Sequence, residues 1–500
     1  MVIKTQFEFS KRMCLLIAGC IAFVLIVFSK GHAIGDFGNY YYASKFLTQG
    51  QWGLWIYDPY QFNTAIYNTG LRNFFLNYTP VTPFTALVYV PLTFFEPFTA
   101  KLIWNVLSAV ALLTGIYKLA THYSWRNEWI FISPLLVLFP LRYNFIEGQT
   151  YCLIFFLLAT GFIAYQKQQL WLMAVCWALA ILLKITPAFV LFFLFFQKDY
   201  RGLLKLFLAM LVFFALSVPV VHMEVWREYL VDILPRLAAG DINNTYALNY
   251  QSMQVLLKKL FVPDALDNPE AWFNNPYLYG KLWLTFKVLV FGLTVLATLT
   301  SASVERKFAL WLLSSFLLSG YGNSFSLMLL LLLLADKELR NFSGKGRWII
   351  LLIVLAANLP FNLLSALPVP LQFHRLYLLL ILFVLVLLWA KPRLKWSYAV
   401  LLFIPWYIPT AIAETGRRYL PTDKGVVLIK EFDVAGDSVL FEHFNLNGPQ
   451  LQRVALPFQV NKVEWEVPHQ QVCLNDSICL SLSDEGRGVG FYTLMFIQQH

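Results

Sequence analysis

The sequence predicts an all-α polytopic membrane protein of about thirteen transmembrane helices with large extracytoplasmic loops over residues 1–413, followed by a small soluble α/β domain over residues 414–500. Three observations predict it. Of 500 residues, 59% are hydrophobic and only 13% charged, where a soluble chain is about one-quarter charged. Apolar runs of membrane-spanning character recur from residue 13 to residue 413. The bases fall in short clusters between those runs: residues 414–500 hold seven bases and eleven acids, a net charge of −4, and the rest of the chain holds +14. That asymmetry is the bias that keeps basic loops inside. It also argues against a nucleic-acid partner, because no single soluble face gathers the positive charge.

The elements follow in order. Lys4, Lys11 and Arg12 precede the apolar run Met13 to Phe28. The residues after it, Lys30-Gly31-His32-Ala33, make a poor cleavage site, so the run reads as an uncleaved anchor. With residues 1–12 inside, residues 29–82 lie outside; their Tyr, Trp and Asn content suits interfacial helices. Residues 84–96, between Pro83 and Pro97, are too few for a full crossing and predict a broken or re-entrant segment. Spans are expected at about 101–120, 129–141 and 149–165. Residues 170–197 have bases at both ends, which makes them a hairpin whose outer tip is Lys184-Ile185-Thr186-Pro187. A span at 203–222 leads to a second external segment, 223–280, with seven acids and four bases. Spans at 281–300, 307–319, 321–335, 347–366, 371–390 and 397–413 complete the membrane part, and the charges read as clustering at span ends.

In the tail, strand-like runs at 437–443 and 489–497, alternation at 462–467 and a helix at 424–432 predict a mixed α/β fold. Cys473 and Cys479, with five residues between them in a polar stretch, are compatible with either a small disulfide loop or two free thiols. No zinc or other metal motif accompanies them. Cys14, Cys20, Cys152 and Cys176 lie in apolar runs and read as packing residues.

Asp36 stands out, in Gly35-Asp36-Phe37-Gly38-Asn39-Tyr40-Tyr41-Tyr42 directly after the first span. A carboxylate at the mouth of a span is costly without a cavity or partner to hold it, which marks a functional site. A hydrated loop acid or a helix cap explains the same residue. Lys184 likewise reads either as a site cation or as a lysine snorkelling to the interface. There is no phosphate-cradling Gly-Lys-Ser/Thr loop, no His-Glu-x-x-His, no Gly-x-Ser-x-Gly and no Rossmann glycine pattern.

The order Asp36-Phe37 with Tyr40-Tyr41, Tyr78-x-Pro80, Gly148-Gln149, Lys184-x-x-Pro187 and Asn249-x-Gln251 resembles glycosyltransferase family 87 over about residues 10 to 335. Thr79 stands where that family commonly has a second proline, and Tyr151 where it often has asparagine. The resemblance implies a GT-C fold in the cell (inner) membrane. It implies transfer of a hexose or pentose, mannose-like favoured, from a polyprenyl-phosphate-sugar donor to an extracytoplasmic glycolipid or glycan by one inverting displacement. Asp36 would be the general base. Lys184 would hold the donor phosphate, with Arg142, His374 and Arg375 in reserve. Tyr40, Tyr41, Tyr78, Gln149, Asn249 and Gln251 would contact substrate. The donor lipid replaces a nucleotide, and no cofactor or metal is required. A polyprenyl-lipid or glycan transporter or flippase remains the alternative, since many spans and broken helices also suit one.

Overall fold

The computed structural model describes residues 10–71, 75–239, 246–263, 268, 271–301, 303–340, 344–392 and 404–408, and the strands between 419 and 497. Helix α1, Lys11–Ser29, begins where the Ser10 hydroxyl accepts from the Met13 amide. It buries Cys14, Ala18, Ala22 and Leu25 on one narrow stripe and turns Leu16, Phe23 and Phe28 outward. Small residues inward and large apolar ones outward is the pattern of a helix that meets lipid. Cys20 lies on the outward face, so it is not the packing residue its neighbours suggest.

Among the described residues, α1, α4 (Pro97–His122), α10 (Tyr200–Val221) and α11 (Pro276–Thr300) are long and apolar enough to cross a membrane. Between α1 and α4 lie α2, Phe37–Thr48, and α3, Pro83–Tyr89, which tightens into a 3₁₀ turn over Val90–Phe94. The 3₁₀ turn carries Pro91, and the whole stretch is too short to cross, as the prolines predict. Helices α5, Trp129–Leu136, and α6, Leu138–Glu147, meet at a 70° bend and make one broken span or a re-entrant turn. Shorter helices lie where other spans are expected: α7 (Tyr151–Gln166), α8 (Leu170–Leu183), α9 (Phe189–Phe196), α12 (Val304–Leu317), α13 (Lys345–Asn358) and α14 (His374–Ala390), apolar but for α12, which opens on Glu305, Arg306 and Lys307. The run 321–335 is a 3₁₀ segment, Ser324–Ala335, whose leucines are buried.

The α8–α9 pair doubles back as its flanking charges predict. Trp177 and Phe193 have ring centroids 6.1 Å apart, whereas sixteen residues of continuous helix would separate them by about 24 Å. The turn leaves the last carbonyls of α8 without helical partners, and burial would make that costly. Thr82 and Thr85 fill the gap, their hydroxyls donating to the carbonyls of Leu182 and Leu183 (the second at 2.8 Å). Lys184 follows in extended backbone, at the break.

Two cores result. One is aliphatic and runs through α7, α8, α12 and the Leu327–Leu334 run. The other is aromatic and lies under α2, with Phe37, Tyr40, Tyr41, Phe62, Tyr78, Tyr89, Trp104 and Tyr229 in contact.

In the tail the described residues form strands and no helix: an antiparallel sheet of β1 (Tyr419–Thr422), β2 (Gly425–Ala435), β3 (Ser438–Asn445) and β4 (Gly448–Ala455), then a second of β5 (Gln470–Asn475), β6 (Ile478–Asp484) and β7 (Tyr492–Ile497). The helix expected at 424–432 is corrected accordingly: over its described residues, 425–432, the chain is strand β2. Its Val426, Val427, Ile429 and Phe432 are β-branched or aromatic, and pairing with β1 and β3 settles the competition in favour of strand. The runs expected at 437–443 and 489–497 correspond to β3 and β7. The alternation at 462–467 lies outside the described residues. Cys473 and Cys479 are register partners across the β5–β6 hairpin.

Candidate active site

Asp36 sits in the short link from α1 to α2, partly buried. Two glycines shape its surroundings. Gly35 has φ +60°, and any Cβ there would run into the Glu147 carboxylate. Gly148 ends α6 in the left-handed conformation at φ +62°, with a Cβ position only 2.6 Å from that of Phe37. Only glycine combines that backbone with that approach. The Asp36 amide donates to Glu147 Oε2 at 3.2 Å. Lys101, buried one turn into α4, donates to the carbonyls of Ala33 (2.6 Å) and Ile146, tying the link to the end of α6. Asn105, one turn further on, ties Ser29 (3.1 Å) to the Phe145 carbonyl (2.9 Å).

The Asp36 side chain does not cap α2. It accepts instead from Asn39 Nδ2 at 3.4 Å and from Gln149 Nε2. The other end of that amide, Gln149 Oε1, accepts from Lys184 Nζ at 2.8 Å and Tyr40 OH at 3.0 Å. An ammonium can only donate and a carboxylate only accept, so the orientation of the Gln149 amide is fixed by its partners. The Gln149 carbonyl accepts from Trp104 Nε1 at 3.3 Å. Asn39 is held in turn by the Asn77 amide at 2.7 Å. Lys184 Nζ lies 4.5 Å from the Tyr151 ring centroid and 5.8 Å from that of Phe325; desolvated cation–π contacts of this kind favour a cation that has left water. Burial raises the Asp36 carboxyl above its ordinary pKa, against the opposing pull of Lys184, the Gln149 and Asn39 hydrogen bonds and Lys101.

These groups face a cavity of about 660 Å³, within the range of small-molecule sites, about 300–1,000 Å³. Its lining includes Asp36, Tyr40, Gln149 and Lys184 from the first part of the chain, and Gln251, Lys287 and Arg375 from the second. Arg375 is almost wholly buried and donates to Ser324 Oγ (2.7 Å) and the Leu359 carbonyl (2.6 Å). Its backbone amide donates to Gln251 Oε1 at 3.3 Å, while Gln251 Nε2 serves the carbonyls of Leu248 and Gln372.

Six of the eleven residues that the sequence suggests for catalysis or binding therefore share this cavity: Asp36, Tyr40, Gln149, Lys184, Gln251 and Arg375. The other five do not line it. Tyr41 and Tyr78 belong to the aromatic core, their hydroxyls donating to the carbonyls of Phe95 and Thr82 at 2.8 Å each. Arg142 and Asn249 are exposed. His374 is half-buried, with Nδ1 3.2 Å from the Gln372 carbonyl oxygen.

Residues 78–320 match glycosyltransferase family 87. The family is the one that the motif order resembles, and it indicates a glycosyltransferase, here set among membrane-type apolar helices. The matched stretch contains Gln149, Lys184, Gln251 and Lys287; Asp36 and Arg375 join the same cavity from outside it. No curated protein matches the chain significantly.

Glu147, Lys101 and Lys287 escape the sequence reading. Lys287 lies near the middle of α11, which corrects the expectation that charges keep to span ends; Lys101, one turn into α4, keeps to it. A base inside an apolar window was the available signal. Glu147 was next to a quoted motif, but its partner is a backbone amide 111 residues away, which no local pattern announces.

Proposed function

We propose that the glycosyltransferase moves a hexose or pentose, mannose-like favoured, from a polyprenyl-phosphate-sugar to a glycolipid or glycan acceptor at the outer face of the cell membrane. In this reading about thirteen crossings put the N-terminus inside. The cavity mouth and the tail are then outside, where a Cys473–Cys479 bridge would stay oxidised. The observation that carries the reading is the arrangement about one amide: Gln149 joins a carboxylate at one end to an ammonium at the other, both on the wall of a single cavity.

The chemistry follows from those two charges. Asp36 takes the proton of the acceptor hydroxyl as its oxygen bonds to the anomeric carbon. The bond from that carbon to the phosphate oxygen breaks on the opposite side, which inverts the centre, and the electron pair leaves with the lipid phosphate. Lys184 stabilises the departing phosphate. The aromatic faces of Tyr40 and Tyr151 beside Lys184 suit a sugar ring. The donor already carries an activated leaving group, so the reading needs neither nucleotide nor resident cofactor.

The test is Asp36→Asn in purified protein with a polyprenyl-phosphate-sugar donor. Turnover should fall by about 10²–10⁴-fold, with donor binding and thermal stability retained. Turnover equal to that of the unsubstituted protein removes Asp36 as base.

A further inference from the structure

Three side-chain cations and one carboxylate line the cavity among the described residues, and the three cations are not held alike. Lys184 is committed to Gln149 and, through it, to Asp36. Arg375 is pinned to Ser324 and the Leu359 carbonyl. Lys287 has no hydrogen-bond or carboxylate partner among the described residues. The contact it makes is with the face of Trp283, one turn back, at 4.6 Å. It lies eleven residues into α11, about 16 Å along the helix; the other lysine of that helix, Lys281, is nearer its start and donates to the carbonyls of Pro405, Trp406 and Ile408. Val288 and Phe291 on the same helix line the cavity beside it. An ammonium at that depth is expensive and is kept where it faces a polar cavity or an anion.

Charge conservation in the proposed reaction supplies the anion. Before transfer the cavity holds one carboxylate and one phosphodiester, each with a single negative charge. As the acceptor oxygen bonds to the anomeric carbon, its proton neutralises Asp36, and the bond to phosphate breaks. The phosphate then has two negative charges and the carboxyl none. One unit of charge has moved from the Asp36 side to the leaving group. Lys184 can match one of the two charges. We propose that Lys287 is a phosphate-binding residue that matches the second, holding the dianionic lipid phosphate more tightly than the monoanionic donor. The inference rests on the transferase reading above and assigns α11 a part in the chemistry that none of the quoted motifs contains.

The experiment compares Lys287→Met and Lys287→Arg with unsubstituted protein, all full-length in nanodiscs. Three quantities are read: donor KM, kcat, and binding of a polyprenyl phosphate against the same polyprenol without phosphate. Lys287→Met should weaken polyprenyl-phosphate binding and lower kcat by tenfold or more, while donor KM and polyprenol binding change by less than threefold. Lys287→Arg should restore most of the phosphate preference. Equal weakening of donor and phosphate product, or no change in either, overturns the assignment. Should Lys287→Met unfold, Lys287→Arg and Lys287→Gln with a thermal-unfolding readout make the same comparison. The phosphate-binding measurement does not depend on turnover, so failure here with an inactive Asp36→Asn leaves the transferase reading standing. An active Asp36→Asn removes Asp36 as the base, whereas unsubstituted protein that transfers no sugar removes the transferase reading by itself.

Discussion

The two sets of residues that line the cavity are built differently. On the Asp36 side each functional group has a neighbour that fixes it: Glu147 and Lys101 hold the backbone link, Asn77 holds Asn39, and Gln149 is satisfied at both ends. On the side drawn from α11, α14 and the turn after α12, Arg375 is anchored but Lys287 lines the cavity with its ammonium over an aromatic face and no hydrogen-bond partner among the described residues. Proton abstraction needs a base aimed within a few tenths of an ångström, and a rigid network supplies that. Holding a phosphate whose charge changes during the reaction asks for a cation on a flexible stem, which lysine supplies and a pinned arginine does not.

The strongest way to break this comparison is to remove the cation on the rigid side. Lys184→Ala should lower turnover by about 10²–10³-fold, the cost typical of losing a preorganised charge-stabilising donor, and should weaken donor binding as well. An effect confined to the KM of the acceptor contradicts its assignment to the phosphate. A pH profile sharpens the contrast. In the proposed reaction Asp36 works as the carboxylate, which exists above its pKa, and burial raises that pKa. The acid limb of kcat/KM should therefore lie above the range of an ordinary aspartate, so that activity is lost earlier as pH falls. Gln149→Leu removes a hydrogen bond that favours the carboxylate and should move the limb further up; a limb that stays put shows that the amide does not tune the acid. The smallest effect is expected at the scaffold. Thr85→Val leaves the Leu183 carbonyl without its donor and should cost about 1–3 kcal/mol, read as a lower thermal midpoint in detergent with turnover reduced only modestly.

The sequence made much of this legible, for reasons that differ by region. Apolar length was enough for the presence of membrane-type helices, because a chain in lipid must satisfy its backbone locally; among the described residues four helices are long enough to cross, or five with the bent pair, against the thirteen expected. The α8–α9 turn was readable from bases at both ends and from Pro187. Asp36, Gln149 and Lys184 were readable as motif residues, although Gln149, suggested as a holder of sugar hydroxyls, turns both ends of its amide to protein groups. What stayed hidden depended on tertiary neighbours. Tyr41 and Tyr78 have the residue type of a sugar platform, but the aromatic core absorbs them. The 424–432 stretch has ambiguous local preference, and strand pairing decides it. Lys287, a charge in an apolar window that the sequence reading passed over, gains its meaning only from the place of α11 beside the cavity.

The double use of the Gln149 amide has one more consequence. Among uncharged side chains of that length, only a carboxamide presents a donor and an acceptor on one rigid plane, so position 149 tolerates no isosteric edit. Glutamate in its place would set a second acid against Asp36, forcing the two to share a proton, while the lysine beyond would be drawn towards the newcomer. One atom exchanged, nitrogen for oxygen, would turn a wire between opposite charges into a trap for both.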